Sequence, residues 1–222
     1  MNVFIVTWHP EPASFNSAMV SRAAEVLEGA GHAVQVSDLF AMNFQAASTR
    51  DNFTSVADAD YFKPQTEELH ASEHGSFALD ITAELDKLEW CDVMIWQCPL
   101  WWFRLPAVRK GWVDRVFAMG RVYGGGKFYE SGTQSGKRAL LSITTGAPAA
   151  GYSAEGMNGD LPTLLIPIHR GMFHFVGFDV LEPHVVYAPA SIGQDARIAE
   201  LERFATRVVG LADEQPIDVP KP

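Results

Sequence analysis

Cysteine is scarce in this chain: Cys91 and Cys98 are the only two in 222 residues. Two thiols make neither a disulfide scaffold nor a zinc framework. Flanking an apolar run, they read as small buried hydrophobes in a reducing compartment. Basic residues are outnumbered, 17 Lys and Arg against 27 Asp and Glu, for a net charge of −10. Nucleic acids and anionic membranes need a basic footprint, so neither is an expected partner. A phosphorylated cofactor held by backbone N–H groups remains compatible with that charge. No apolar run approaches the ~20 residues of a membrane-spanning helix. The start, MNVFIVTWHP, has no basic n-region and too short an apolar run for a secretory signal. A cytoplasmic protein with no stable membrane insertion is the expectation. GxGxxG, Walker A and GxSxG patterns are all missing, which leaves a standard dinucleotide fingerprint, a P-loop and a serine hydrolase without support. His169, His174 and His184 lack metal-ligand spacing, so no metal site is expected.

What is present is an alternation of apolar strands and amphipathic helices. NVFIVT (2–7) is a short, unalternated run, the pattern of a strand buried on both faces. Ser14 suits the N-cap of a helix from Phe15 to Glu28, with Met19, Ala23, Val26 and Leu27 on one stripe. HAVQVSDL is a second strand, and a strand–helix–strand unit implies a right-handed crossover in a parallel sheet. Residues 41–79 read as an irregular polar connection, with Glu67 and Glu68 on solvated surface. Residues 80–90 have a helical pattern, 92–97 form a third strand, and Pro106 opens a helix that buries Trp112, Val116 and Phe117. After a glycine-rich loop come a fourth strand (KRALLSITTG), a helix over about 160–174, a fifth strand (DVLEPHVVY) and a last helix over about 194–211. Residues 212–222 look like an extended tail. The expected fold is a single α/β domain over 1–222: a doubly wound, five-stranded parallel sheet with helices on both faces.

In such sheets ligands bind beyond the carboxyl ends of the strands. Three loops qualify: 8–16, 98–106 and 144–158. The first places His9, Ser14, Phe15 and Asn16 at a helix N-terminus, which suits an anion as well as a simple cap. The second places Trp101, Trp102 and Phe103 at a bend; these rings must pack on core or on a planar ligand. The third is rich in small residues, with Gly146 allowing close backbone approach and Tyr152 and Asn158 offering polar groups; a surface loop capped by Asp160 is the plain alternative.

Four collinear segments, QCPLWWFRLPAVRKGWVDRVF, LLSITTGAPAAGYSAEGMNGD, HFVGFDVLEP and DARIAELERF, closely resemble the two-electron, DT-diaphorase type of NAD(P)H:quinone oxidoreductase. The resemblance runs from VTWHPEPASFN to about Leu211 and is weakest over 41–79 and in the glycine-rich loop. It implies a flavodoxin-like homodimer with FAD at the subunit interface. NADPH or NADH would donate hydride, and a quinone or similar small electrophile would accept it in a ping-pong cycle. By the same resemblance, His9, Ser14, Phe15 and Asn16 hold the phosphate and ribitol side of the cofactor. Pro99, Leu100, Trp101, Trp102 and Phe103 line the flavin ring. Thr144, Thr145, Gly146 and Ala147 bring backbone donors to its polar edge, and Tyr152 sits over the pocket. Asp114 and Arg197 match positions near the adenosine portion. Tyr123 and Phe175 match pocket positions to which a partner subunit contributes.

Two departures stand out. The family's animal enzymes carry a His six residues after the pocket Tyr, and this chain has Asn158 there. An amide cannot take up a proton as imidazole does, so a Tyr–His relay cannot operate unchanged. Two residues after Tyr123, a usually aromatic rim position is Gly125, which implies a wider, more mobile and less selective mouth. The flavin contact that the family carries within 41–79 has no secure match, which leaves FMN as an alternative to FAD. Alternative functions within the resemblance are a nitro- or azo-reductase and a flavin-binding ancillary regulator of a membrane transporter.

Overall fold

The computed structural model describes residues 1–221. Strands β1 (Asn2–Thr7), β2 (Ala33–Asp38), β3 (Val93–Pro99) and β4 (Arg138–Thr145) pair in parallel in the order β2-β1-β3-β4. The expected fifth strand is split. Asp179–Val180 (β5) and His184–Tyr187 (β6) each pair in parallel with β4, at its beginning and its end. Leu181, Glu182 and Pro183 lie between them, and proline has no N–H to give to the ladder. Five strand positions are thus filled by six strands.

Six α-helices cover the sheet: α1 (Phe15–Gly29), α2 (Pro64–His74), α3 (Leu79–Trp90), α4 (Ala107–Val116), α5 (Leu161–Ile168) and α6 (Gln194–Val209). Helix α1 starts as its sequence requires: the Ser14 hydroxyl accepts from the Ser17 N–H at 3.1 Å. Met19, Ala23 and Leu27 are buried, while Val26 is only partly so. Together with α6 they form an aliphatic core against Val3, Ile5, Ile95 and Leu140. The opposite face, under α3, α4 and α5, is larger and aromatic, built around Trp96, Trp112 and Phe173.

Residues 41–79 are more ordered than their composition suggests. They hold a 3-10 turn (Arg50–Asn52) and the whole of α2. Arg115 is buried and fixes the segment: Nε donates to Asn52 Oδ1 at 2.8 Å, Nη1 to the Gln45 carbonyl at 3.1 Å, and Nη2 pairs with Asp80. Gly111 lets the same segment come close, since a Cβ there would lie 2.3 Å from the Ala46 carbonyl oxygen. Glu67 and Glu68 are not surface residues; they are 1% and 7% exposed. Glu67 accepts from the N–H groups of Ala57 and Asp58, and Glu68 from that of Met119. These bonds compensate the cost of burying a carboxylate. The helix expected over 160–174 is α5, continued by a π-turn (His169–Phe173) and a 3-10 turn (His174–Val176). Pro167 within α5 removes one intrahelical donor, and the ladder rearranges directly after it.

Residues 211–213 form a turn, and residues 214–221 run without helix or strand and are docked. The Ile217 N–H donates to the Val180 carbonyl at 2.8 Å, and Ile217 and Val219 pack on the aromatic core. No helix of the described residues is long and apolar enough to cross a membrane.

Candidate active site

The strand order reverses between β1 and β3, and the loops leaving β1, β3 and β4 enclose a cleft of about 910 Å³. That is the crevice where open α/β sheets bind ligands, and its size suits a cofactor. Its floor is a buried polar chain. Gln97 Nε2 donates to Asn16 Oδ1 at 2.8 Å, and Asn16 Nδ2 donates to Thr144 Oγ1 at 3.0 Å. One residue from each of β3, α1 and β4 is thereby joined, and the Leu100 N–H donates to the Thr144 carbonyl at 2.8 Å. Buried amide bonds of this kind fix the relative positions of the loops above them.

At the β1 side, His9, Ser14, Phe15 and Asn16 line the cleft. The first N–H groups of α1 have no intrahelical acceptor and carry the positive end of the helix dipole. The Glu11 N–H donates to His9 Nδ1 at 3.0 Å, an arrangement that assigns the ring proton to Nε2 and leaves Nε2–H as a donor. These groups suit a phosphate. Pro99, Leu100, Trp101 and Trp102 form the β3 side. Trp101 and Arg104 exchange backbone hydrogen bonds at 3.1 and 2.9 Å, and both residues between them have positive φ, 51° for Trp102 and 58° for Phe103. Two left-handed central residues define a type I′ turn, normally built from Asn and Gly. Using Trp and Phe there costs backbone energy and projects aromatic rings at the cleft lip. Trp102 is 93% exposed.

The β4 side supplies Thr144, Thr145 and Gly146. The Thr145 hydroxyl donates to the Ala147 carbonyl at 2.8 Å, which bends the chain out of the strand. A Cβ on Gly146 would meet nothing within 4 Å, so the backbone there faces open space. The composition gave no warning of the fourth wall: Ala188, Pro189, Gln194, Arg197 and Ile198, from the β6–α6 connection. Only Arg197 was expected; it donates to the carbonyls of Pro189 and Ile192 and to Gln194 Oε1. The fifth strand reads to its carboxyl end at Tyr187, and that end was the signal that could have found the wall. Planar aromatic lip, hydroxyl and amide floor, bare backbone and helix N-terminus together fit a flavin with its phosphate.

Other expected residues lie elsewhere in the single chain. Ala147 and Phe103 flank the cleft without lining it. Tyr152 is buried beside Tyr187, ring centroids 6.1 Å apart, on a separate cavity; burial raises its pKa above the usual phenol value. The Asn158 N–H donates to the Gly151 carbonyl at 2.8 Å, so Asn158 braces the 151–158 loop. Asp114 pairs with Lys110 on the exposed side of α4. Tyr123 packs against Phe175 in a cluster with Phe128 and Tyr129, away from the cleft. Gly124, Gly125 and Gly126 all have positive φ (113°, 59° and 80°), so this rim segment is a left-handed turn that needs glycine. Among the described residues no group of three or more His, Cys, Asp or Glu could hold a metal ion.

A model of the flavodoxin-like fold matches residues 1–208, the class that the strand order and cleft define. NAD(P)H dehydrogenase (quinone) 1 of Rattus norvegicus is 41% identical over 214 residues, 96% of this chain and 78% of the rat protein. Ribosyldihydronicotinamide dehydrogenase (quinone) of Homo sapiens is 39% identical over 216 residues, 97% of this chain and 94% of the human one. A proposed quinone reductase from Klebsiella pneumoniae superposes with a TM-score of 0.94 at 39% identity, over 98% of this chain and 87% of that one. With identity of this extent along the whole length, the chain belongs to the NAD(P)H:quinone oxidoreductase family of flavodoxin-like proteins.

Proposed function

We propose that this protein is a flavin-dependent, two-electron NAD(P)H:quinone oxidoreductase. The observation that carries the reading is the cleft at the β1/β3 reversal, lined by Trp101, Trp102 and Gly146, where a Cβ would meet nothing within 4 Å. FAD is the cofactor proposed, and when bound it supplies the hydride chemistry. His9 and the α1 N-terminus bind the phosphate, and Arg197 holds the loop beside the adenosine end. Trp101 and Trp102 orient the planar ring and exclude water. The N–H groups around Gly146 and Ala147 would meet the polar edge of that ring as hydrogen-bond donors. Tyr152 keeps its proton, since burial disfavours its phenolate, and can donate a hydrogen bond. Asn158 braces the Tyr152 loop, and its amide has no titratable proton to give or take.

A second copy of the chain completes the pocket in this reading. Support comes from the exposed Trp102, which needs cover, and from Tyr123, Gly125 and Phe175, none of which lines the cleft of its own chain. The free, buried thiols of Cys91 and Cys98 agree with a reducing compartment.

The test is visible spectroscopy of the purified protein. A yellow protein that bleaches on anaerobic NADH or NADPH and regains its spectrum with a quinone is the expected outcome. A colourless protein that binds neither FAD nor FMN would overturn the proposal. Thr144→Val should weaken flavin retention about tenfold, the loss of roughly one buried hydrogen bond.

A further inference from the structure

Helix α2 ends with two histidines one turn apart, His70 and His74. Side chains four residues apart lie on the same face of a helix. Here the two rings are stacked, with centroids 4.2 Å apart and planes inclined by 27°. The local sequence is HASEH (70–74), a His-x-x-Glu-His pattern. Two histidines at this spacing on a helix can bring two imidazole nitrogens to one metal ion.

Each ring is held through one nitrogen and keeps the other. His74 Nδ1 lies 2.8 Å from the His70 carbonyl. A carbonyl only accepts, so Nδ1 carries the proton and Nε2 the free lone pair. His70 Nε2 lies 3.1 Å from the Ser55 hydroxyl. The tautomer that donates from Nε2 to Ser55 leaves the lone pair on Nδ1. A carbonyl or hydroxyl on the far nitrogen is the usual outer partner of a metal-binding imidazole, because it fixes the ring and raises the basicity of the nitrogen facing the metal.

The surroundings favour a cation. His74 is the last residue of α2, where the helix dipole is negative and the final carbonyls lack intrahelical donors. Glu73 is exposed beside it, and the chain carries a net charge of −10. The rings are open to solvent, His74 fully and His70 in part.

We propose that His70 and His74 form a binding site for one divalent transition-metal ion of the zinc class, with water completing its coordination. Imidazole donors select zinc, nickel or copper over magnesium and calcium, which take oxygen ligands. The site is not a hydrolytic centre. Catalytic zinc has three protein ligands, and no third His, Cys, Asp or Glu joins this pair among the described residues. The ion acts as a clasp. Ser55 precedes Ala57 and Asp58, whose N–H groups donate to Glu67 of α2, so fixing the His70 ring tightens this connection against the helix. The proposal stands on α2 and does not depend on the redox reading.

The test is titration of the purified, nitrogen-15-labelled protein with zinc chloride, followed through the imidazole nitrogen resonances. Saturable one-to-one shifts are expected at both His70 and His74, with the buried His169 and His184 unmoved and no response to magnesium chloride. His70→Gln and His74→Gln should each weaken zinc binding by about tenfold or more. Zinc should raise the melting temperature of the wild type and of neither variant. Shifts spread evenly over the surface histidines, a shift of one ring without the other, or equal zinc affinity in the wild type and both variants would overturn the proposal.

Discussion

The two faces of the sheet solve the same burial problem with different materials. On the α1/α6 face, Met19, Ala23, Leu27, Val208 and Leu211 meet Val3, Ile5, Ile95 and Leu140 in a mostly aliphatic contact in which Phe204 is the one fully buried aromatic ring. On the other face, Trp96 and Trp112 stand edge to face at 6.0 Å, and Phe173 lies 4.3 Å from Trp96. Polar groups are folded in among these rings. Glu84 is fully buried, yet accepts from Ser37, Lys87 and the Trp112 indole. Arg109 is fully buried with no hydrogen-bond partner, its guanidinium 4.1 Å from the Trp96 ring centre. Burial lowers its pKa to about 9. The aliphatic face holds the strands in place. The aromatic face has quadrupoles and hydrogen-bond partners to host charge, and it is where the irregular π-turn and the cavity beside Tyr152 occur.

That contrast makes its sharpest claim at Trp112. Trp112→Ala should lose about 4 kcal/mol in urea denaturation, since it empties a packed site and strips Glu84 of a donor. An effect no larger than that of Leu27→Ala, for which about 3 kcal/mol is expected, would erase the distinction between the faces. Acid should strike both faces alike. His169 and His184 are buried, and burial lowers their pKa values to about 4 and about 3. Between the unfolded value near 6.5 and the folded one, the unfolded chain binds more protons, so stability falls as pH falls. Each histidine should cost on the order of 3 kcal/mol by pH 4. Thermal melts across pH 7 to 4 check this, and His169→Phe should flatten the slope. Arg109→Met should go the other way and stabilise by about 2 kcal/mol, because an unpaired buried charge is replaced by an apolar chain of similar length. A loss of stability there would mean that the cation–ring contact outweighs its desolvation. Smallest is Ser14→Ala, about 1 kcal/mol from loss of the α1 cap.

The aliphatic face was largely legible in the sequence, because Met19, Ala23 and Leu27 recur at helical spacing behind a capping serine. The cleft loops were legible too, since Trp101, Trp102 and Gly146 sit at strand ends where such residues need a reason. Helix α2 was not. Its apolar stripe is nearly absent, and what buries it is Glu67 and Glu68, whose partners are backbone N–H groups that no side-chain pattern reveals. The Ala188–Ile198 wall was missed although the fifth strand reads through to Tyr187, because only the loops after the first, third and fourth strands qualified as ligand-binding. Tyr152 was singled out as a pocket residue, and the fold places it on a cavity apart from the cleft within one chain.

The bond from the Ile217 N–H to Val180 has a bearing beyond the docking of the C-terminal segment. An open sheet edge offers unpaired carbonyls to any passing extended chain, and long flat edges are templates for aggregation. Here the edge is cut to two and four residues, interrupted by Pro183 and covered at Val180 by the protein's own C-terminal segment. The other edge, β2, keeps six residues and a partly exposed Val36. Unwanted strand-to-strand association, if it begins at an edge of the folded sheet, should therefore begin at β2.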